Sequence, residues 1–194
     1  MAIPTYREHV QRMGELLSQL EVTNGDGEVL TTEEGFEMLY GLAVAARIPP
    51  RRLFLIGNGA SASMASHFAA DLCKNGGVNA GVLTDPALTT AFANDIGADQ
   101  LFAEPLRRMA AAGDGLLVIS SSGASANLIA ALAVAGERQL SVATITAMSP
   151  ENLLRRGGDL NFYIPAMTYG DAESCHAAVL HYWLDRVAKD GTSS

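Results

Sequence analysis

His67 and Asp71 stand four residues apart in the stretch FLIGNGASASMASHFAAD, residues 54–71. On a helix that spacing puts an imidazole and a carboxylate on one face, where they can converge on one metal ion or one substrate hydroxyl. The stretch opens with an apolar run that leads into Gly57-Asn58-Gly59-Ala60-Ser61. A second apolar run ends in Ser120-Ser121-Ser122-Gly123-Ala124-Ser125. Small residues after a strand let backbone amides approach an anion, the following helix N-terminus adds favourable potential, and serine hydroxyls donate further hydrogen bonds. The first loop lacks both the third glycine of a dinucleotide fingerprint and the lysine of a P-loop, so nucleotide folds are disfavoured. The pattern suggests a phosphate held by neutral donors near an acid–base pair.

Those residues need a scaffold, and the chain supplies one. At 194 residues, 48% hydrophobic and 18% charged, it can bury a sizeable core as a single domain spanning 1–194. Short apolar runs (RLFLI, AGVLT, GLLVIS, SVATIT and LNFYI) alternate with helical patterns from residue 51 to 189. Strands apolar on both faces, separated by helices, indicate an α/β three-layer sandwich around a parallel sheet, with ligands at the carboxyl ends of the strands. Residues 1–48 read as an N-terminal helical extension. Val10, Met13, Leu17 and Leu20 form a narrow apolar seam that wants a partner, and Thr31 with Glu34 has capping-box spacing. Gly25 and Gly27 read as a break, and Pro49-Pro50 as a stop.

A formal net charge of −8 argues against nucleic-acid or anionic-membrane partners. Cys73 and Cys175 lack zinc or redox spacing and read as reduced thiols. With no apolar segment long enough for a signal peptide or a span, a soluble, cytoplasmic protein is expected. Of the four histidines, His9 reads as structural, whereas His176, three residues after Glu173, competes for a local role.

The segments GNGASASMASHFAADL, TAFANDIGADQLF, GDGLLVISSSGASANLIAAL and YGDAESCHAAVLHYWLDRV resemble the SIS (sugar isomerase) family, and within it the phosphoheptose isomerases. The similarity spans nearly the whole chain. It implies a five-stranded parallel, flavodoxin-like sheet and a homotetramer, with the N-terminal extension in the interface and active sites between subunits. It also implies isomerisation of sedoheptulose 7-phosphate to D-glycero-D-manno-heptose 7-phosphate. By resemblance the sugar phosphate falls on Ser120, Ser122 and Ser125, with Ser121 assisting. Asn58, Gly59 and Ser61 face the sugar, and Asp95, with Asn94 beside it, meets the hydroxyls. A divalent metal, zinc in some members, is implied at His67, Asp71, Glu173 and His181, with Asp71 and His181 as the catalytic pair.

The chain departs from that pattern at several positions. Asp71 replaces a glutamate one methylene longer, Glu173 replaces a glutamine, and Ala62 and Ala124 replace polar residues. The segment YGDAESCH is one residue shorter, so Asp171 and Glu173 cannot both be aligned with the family without a gap. Some relatives have lost the glutamate and regulate a DNA-replication initiator, which leaves two alternatives to the heptose enzyme: a non-catalytic binding module, and an isomerase of another ketose phosphate.

Overall fold

The computed structural model describes residues 5–191. Thr5 caps α1 (Tyr6–Ser18) through a capping box with Glu8, and Thr31 caps α2 (Thr32–Ala45) in the same way with Glu34. The remaining helices are α3 (Ala60–Gly76), α4 (Pro86–Asp95), α5 (Ala103–Met109), α6 (Ala126–Glu137) and α7 (Tyr169–Gly191). The strands are β1 (Glu21–Asn24), β2 (Val29–Leu30), β3 (Leu53–Gly57), β4 (Ala80–Val82), β5 (Gly115–Ser120), β6 (Ser141–Thr146) and β7 (Leu160–Tyr163). None of the described helices is long and apolar enough to cross a membrane.

One sheet runs β2-β1-β7-β6-β5-β3-β4. Its five parallel strands fall in the flavodoxin-like order expected, yet the sheet has seven strands, because β1 and β2 add an antiparallel hairpin beyond β7. The break expected at Gly25 and Gly27 is the turn of that hairpin. There the Asn24 carboxamide oxygen accepts the Asp26 and Glu28 amides, and Gly27 takes φ +83°. Strands this short carry little periodicity, so local turn chemistry and pairing with β7 decide the structure.

Strand side chains alternate between two cores. Leu53, Leu55, Leu117, Ile119, Ala143, Ile145 and Phe162 face α2, α3 and α7, whereas Phe54, Ile56, Leu116, Val118 and Val142 face α5 and α6. With both faces covered, the ladder ends are where polar groups meet solvent. In α1, Met13, Leu16 and Leu17 pack on the first core, as does Leu20 just beyond the helix. Val10, the start of the expected seam, stays 52% exposed.

Arg47, just past α2, bonds to the carbonyls of Gly76 and Val187 at 2.8 Å and to Asp190 at 2.7 Å, so one guanidinium ties α2 to the C-terminal turns of α3 and α7. Trp183, fully buried, donates its indole N–H to the Leu39 carbonyl. Replacing Arg47 with Ala leaves those carbonyls without their donor. The expected loss is about 2–3 kcal/mol in urea unfolding, and Arg47→Lys should recover only part of it, because an ammonium cannot span the three acceptors.

Candidate active site

β3 delivers its chain into α3 through a very tight turn. A Cβ on Gly57 would lie 2.7 Å from the Ser61 Cβ and 2.9 Å from the Ile119 carbonyl oxygen, so only glycine fits there. Gly59 caps α3 at φ +55°, with no side-chain bond to the first amides. Asn58 and Gly59 are exposed, whereas Ser61 is buried against the sheet.

The serine loop is built more firmly. Ser120 Oγ accepts the Gly123 amide at 3.1 Å and Ser122 Oγ accepts the Ala124 amide at 3.4 Å. The Ser121 carbonyl takes the Ala147 amide, and the Gly123 carbonyl takes the Leu154 amide. Ser120 and Ser121 are 5% exposed and form the frame, while Ser122 and Ser125 are half-buried and open toward solvent. Ser125 caps α6 without a side-chain capping bond, so the first amides of α6 and two hydroxyls remain available to an anion. Of the four serines expected at the phosphate, Ser122 and Ser125 are therefore presented as direct donors, and Ser120 shapes the loop.

Two asparagines missing from the expected site organise it. Asn127, in the first turn of α6, exchanges two carboxamide hydrogen bonds with Asn58, at 2.9 and 3.0 Å. Asn152, 5% exposed, lies under the loop, where its Nδ2 bonds to Thr146 Oγ1 and the Ser149 carbonyl and its Oδ1 accepts the Arg155 amide. Asn127 closes the S-SG-S-N motif of the serine loop, but its bond to Asn58 crosses 69 residues of chain. Asn152 sits in a loop after β6 with no local signal.

Along α3, His67 Nε2 stands 3.5 Å from Asp71 Oδ2, and Lys74 Nζ lies 3.9 Å from the other carboxylate oxygen. From α7 the His181 ring meets the His67 and Phe68 rings edge-on, with centroids 5.6 and 4.8 Å apart. Three of the four expected metal and catalytic positions thus meet where α3 packs on α7. Glu173 is half-buried and lies two turns, roughly 12 Å, back along α7 from His181. Asn94 and Asp95 end α4, exposed, with Asn94 Nδ2 bonded to Asp95 Oδ1 at 2.7 Å; no bond joins them to the other site residues.

Asp171, two residues before Glu173, has a packing role. Asp171 is 6% exposed and accepts Arg12 Nη2 at 2.9 Å, with His9 Nδ1 at 3.8 Å, so it anchors α1 to α7. The Arg12 hydrogen bond holds its carboxyl below the usual carboxylate range. His176 is fully buried and takes no part in the open site. Neither ring nitrogen completes a hydrogen bond, and burial pushes its pKa down to about 4, opposed only by the Thr146 backbone. Its neighbour Cys175 is pushed up to about 11, chiefly by burial.

Two atoms each about 2.1 Å from a tetrahedral ion lie roughly 3.4 Å apart. The His67–Asp71 separation of 3.5 Å therefore suits two ligands of one cation, and His181 stands beside them. Among the described residues, no three His, Cys, Asp or Glu side chains form a complete metal site.

Fold and site together define an α/β protein with a serine-rich loop and a helix N-terminus at the carboxyl edge of its sheet, near an imidazole–carboxylate face. The family model for the SIS domain matches residues 29–147, and the chain belongs to that family. It is 31% identical over 179 residues to a phosphoheptose isomerase of Thiobacillus denitrificans, covering 88% of each chain. It is 32% identical over 162 residues to a phosphoheptose isomerase of Geobacter metallireducens, covering 77% of this chain and 82% of the other. The structure of a phosphoheptose isomerase from Neisseria gonorrhoeae superposes with a TM-score of 0.77 at 27% identity, covering 94% of this chain and 99% of that one. A phosphoheptose isomerase from Francisella tularensis, at 22% identity, shares the fold with a TM-score of 0.80 over 95% of both chains.

Two outcomes follow from this geometry. Gly123 adopts φ +62°, and a Cβ there would lie 1.9 Å from Asn152 Oδ1. Gly123→Ala should weaken calorimetric binding of inorganic phosphate at least about tenfold, while Ala124→Gly on the exposed neighbour leaves it unchanged. His176 is held neutral, so the unfolded chain binds the extra proton first. Stability from this site is complete above the ordinary histidine pKa and falls by roughly 3 kcal/mol as pH drops from about 6.5 to about 4. Urea midpoints across that window should flatten in His176→Leu.

Proposed function

We propose that the chain is a sugar-phosphate aldose–ketose isomerase that converts sedoheptulose 7-phosphate to D-glycero-D-manno-heptose 7-phosphate. The observation that carries this reading is the pairing of the Ser122–Ser125 anion cradle with the His67–Asp71–His181 face, joined through Asn58 and α3. His67 lies about 10 Å along α3 from the start of the helix, which follows Asn58 by two residues.

In the reaction the phosphate takes hydrogen bonds from Ser122, Ser125 and the first amides of α6. Asp71 removes a proton from the hydroxymethyl carbon beside the carbonyl, which gives a cis-enediol. His181 returns a proton to the former carbonyl carbon. The hydroxyl on the terminal carbon gives up its proton as that carbon becomes the aldehyde, and the former carbonyl oxygen takes one up to become a hydroxyl, so the two oxygens exchange a proton and the sum is unchanged. Asn58, Gly59, Ser61, Asn94 and Asp95 contact the sugar hydroxyls. A divalent cation, zinc by family likeness, would be held by His67, Asp71 and His181, and would supply a Lewis acid for the enediolate oxygens. Glu173, two turns back along α7, is the fourth ligand that the family likeness implies.

The site also supports an assembly. α1 and α4 bury no residue of their own, and Val10, Ile96 and Tyr182 are exposed. Leu17, Leu20, Phe36, Val179 and Tyr182 line an apolar groove of about 330 Å³ between α1, α2 and α7. These surfaces fit a homotetramer in which residues 1–48 contribute to the interface and the open sites are completed between subunits. Two unpaired cysteines fit a reducing, cytoplasmic setting.

The test is proton exchange followed by NMR, with metal-quantified protein and sedoheptulose 7-phosphate in heavy water. Deuterium beside the carbonyl together with aldose formation supports the reading, and Asp71→Asn should slow both by at least about 100-fold with the fold intact. Exchange without aldose product would point to another ketose phosphate. No exchange in the parent, with phosphate still bound, would favour a binding module, and an unimpaired Asp71→Asn would remove Asp71 from the base role.

A further inference from the structure

We propose that Asn127 is a positioning residue for the isomerase reaction: its carboxamide fixes Asn58 and thereby sets the distance between the phosphate cradle and the acid–base face. The inference rests on the isomerase reading above.

β3 and β5 are adjacent strands, and their last paired rung joins Gly57 to Ile119. Beyond that rung the backbones part, one into Asn58 and α3, the other into the serine loop and α6. The two carboxamides rejoin them. Asn58 Nδ2 donates to Asn127 Oδ1 at 2.9 Å, and Asn127 Nδ2 donates to Asn58 Oδ1 at 3.0 Å. Such a reciprocal pair holds both amides in one plane and couples their orientations, so that neither carboxamide can flip alone. Each amide keeps one N–H and one lone pair. Asn58 is thereby restrained in plane, and its remaining donor and acceptor are held at a fixed place beside the start of α3.

Asn127 also belongs to the turn whose free amides face the phosphate, and α3 begins two residues after Asn58. One side of the contact therefore carries the phosphate ligands and the other carries His67 and Asp71. A phosphate remote from the reacting carbons helps the reaction only if the two ends of the substrate are held in register. A misplacement near 1 Å at the reacting carbon can cost about 100-fold in rate. The Asn127 side chain is not a phosphate ligand, because it points to the β3 loop.

The test compares Asn127→Ala and Asn127→Asp with the parent under steady-state turnover of sedoheptulose 7-phosphate, with inorganic phosphate as competitive inhibitor. For Asn127→Ala, kcat should fall about 10- to 100-fold, while the inhibition constant for phosphate stays within about twofold, because the cradle is untouched. Asn127→Asp retains the acceptor for Asn58 but puts a carboxylate beside the cradle, and should weaken phosphate inhibition as well. The double variant Asn58→Ala/Asn127→Ala should be no slower than Asn58→Ala alone, since both act through one contact. Parent-like kcat in Asn127→Ala, additive losses in the double variant, or loss of phosphate inhibition in Asn127→Ala would each overturn the inference. A parent with no turnover would overturn the isomerase reading, and this inference with it.

Discussion

Five parallel strands covered on both faces are the constraint from which the rest follows. Leu53, Leu55, Leu117 and Ile119 go to one core, and Phe54, Ile56, Leu116 and Val118 to the other, which leaves no face of the sheet free for polar chemistry. Binding groups are forced to the carboxyl ends of β3 and β5, where backbone amides emerge unpaired and helices begin. Gly57 and Gly123 are required there for different reasons: Gly57 because the turn folds back against Ser61 and the Ile119 carbonyl, Gly123 because Asn152 fills the space where a side chain would go.

An acidic chain that binds a phosphate must do so without long-range attraction. With a formal charge of −8, what this chain offers an anion at the serine loop is hydroxyls and helix-end amides, which act only at contact distance. That choice makes the shape of the loop more important than its charge. It accounts for the depth of support beneath Ser120-Ser121-Ser122: the Ala147 and Leu154 amides bond to the loop carbonyls, and Asn152 is bonded on all sides below. Donors held by a buried frame are already oriented and lose little freedom when the anion arrives.

What could be read from residues alone was what depends on short-range order. The five apolar runs became the five parallel strands, Thr31 capped α2 as its spacing with Glu34 indicated, and both small-residue loops fell at strand ends. The likeness to the SIS family located His67, Asp71 and His181, which the fold then brings together. Pairing between distant segments was not legible. The β1–β2 hairpin depends on β7, more than a hundred residues later; Asn127 gains its partner only when β3 and β5 lie side by side; and Asp171 meets Arg12 only when α1 packs on α7.

The shorter acid at position 71 turns attention to how closely α3 and α7 approach. Near their C-terminal ends a Cβ on Gly76 would lie 2.9 Å from Val187 Cγ1, so the helices pack there at the limit that glycine allows. Arg47 fastens that same junction by bonding to Gly76 and Val187 together. Toward the site the separation is set instead by Phe68 and His181, whose rings meet edge-on at 4.8 Å. A close junction at one end and an aromatic spacer at the other fix how far apart the two helix faces stand. An aspartate on such a clamped face keeps a defined distance to His181, and its reach is set by the helices more than by its own side chain. The missing methylene at Asp71 therefore shifts where the carboxylate ends on the α3 face, within a region whose other dimensions are held by packing.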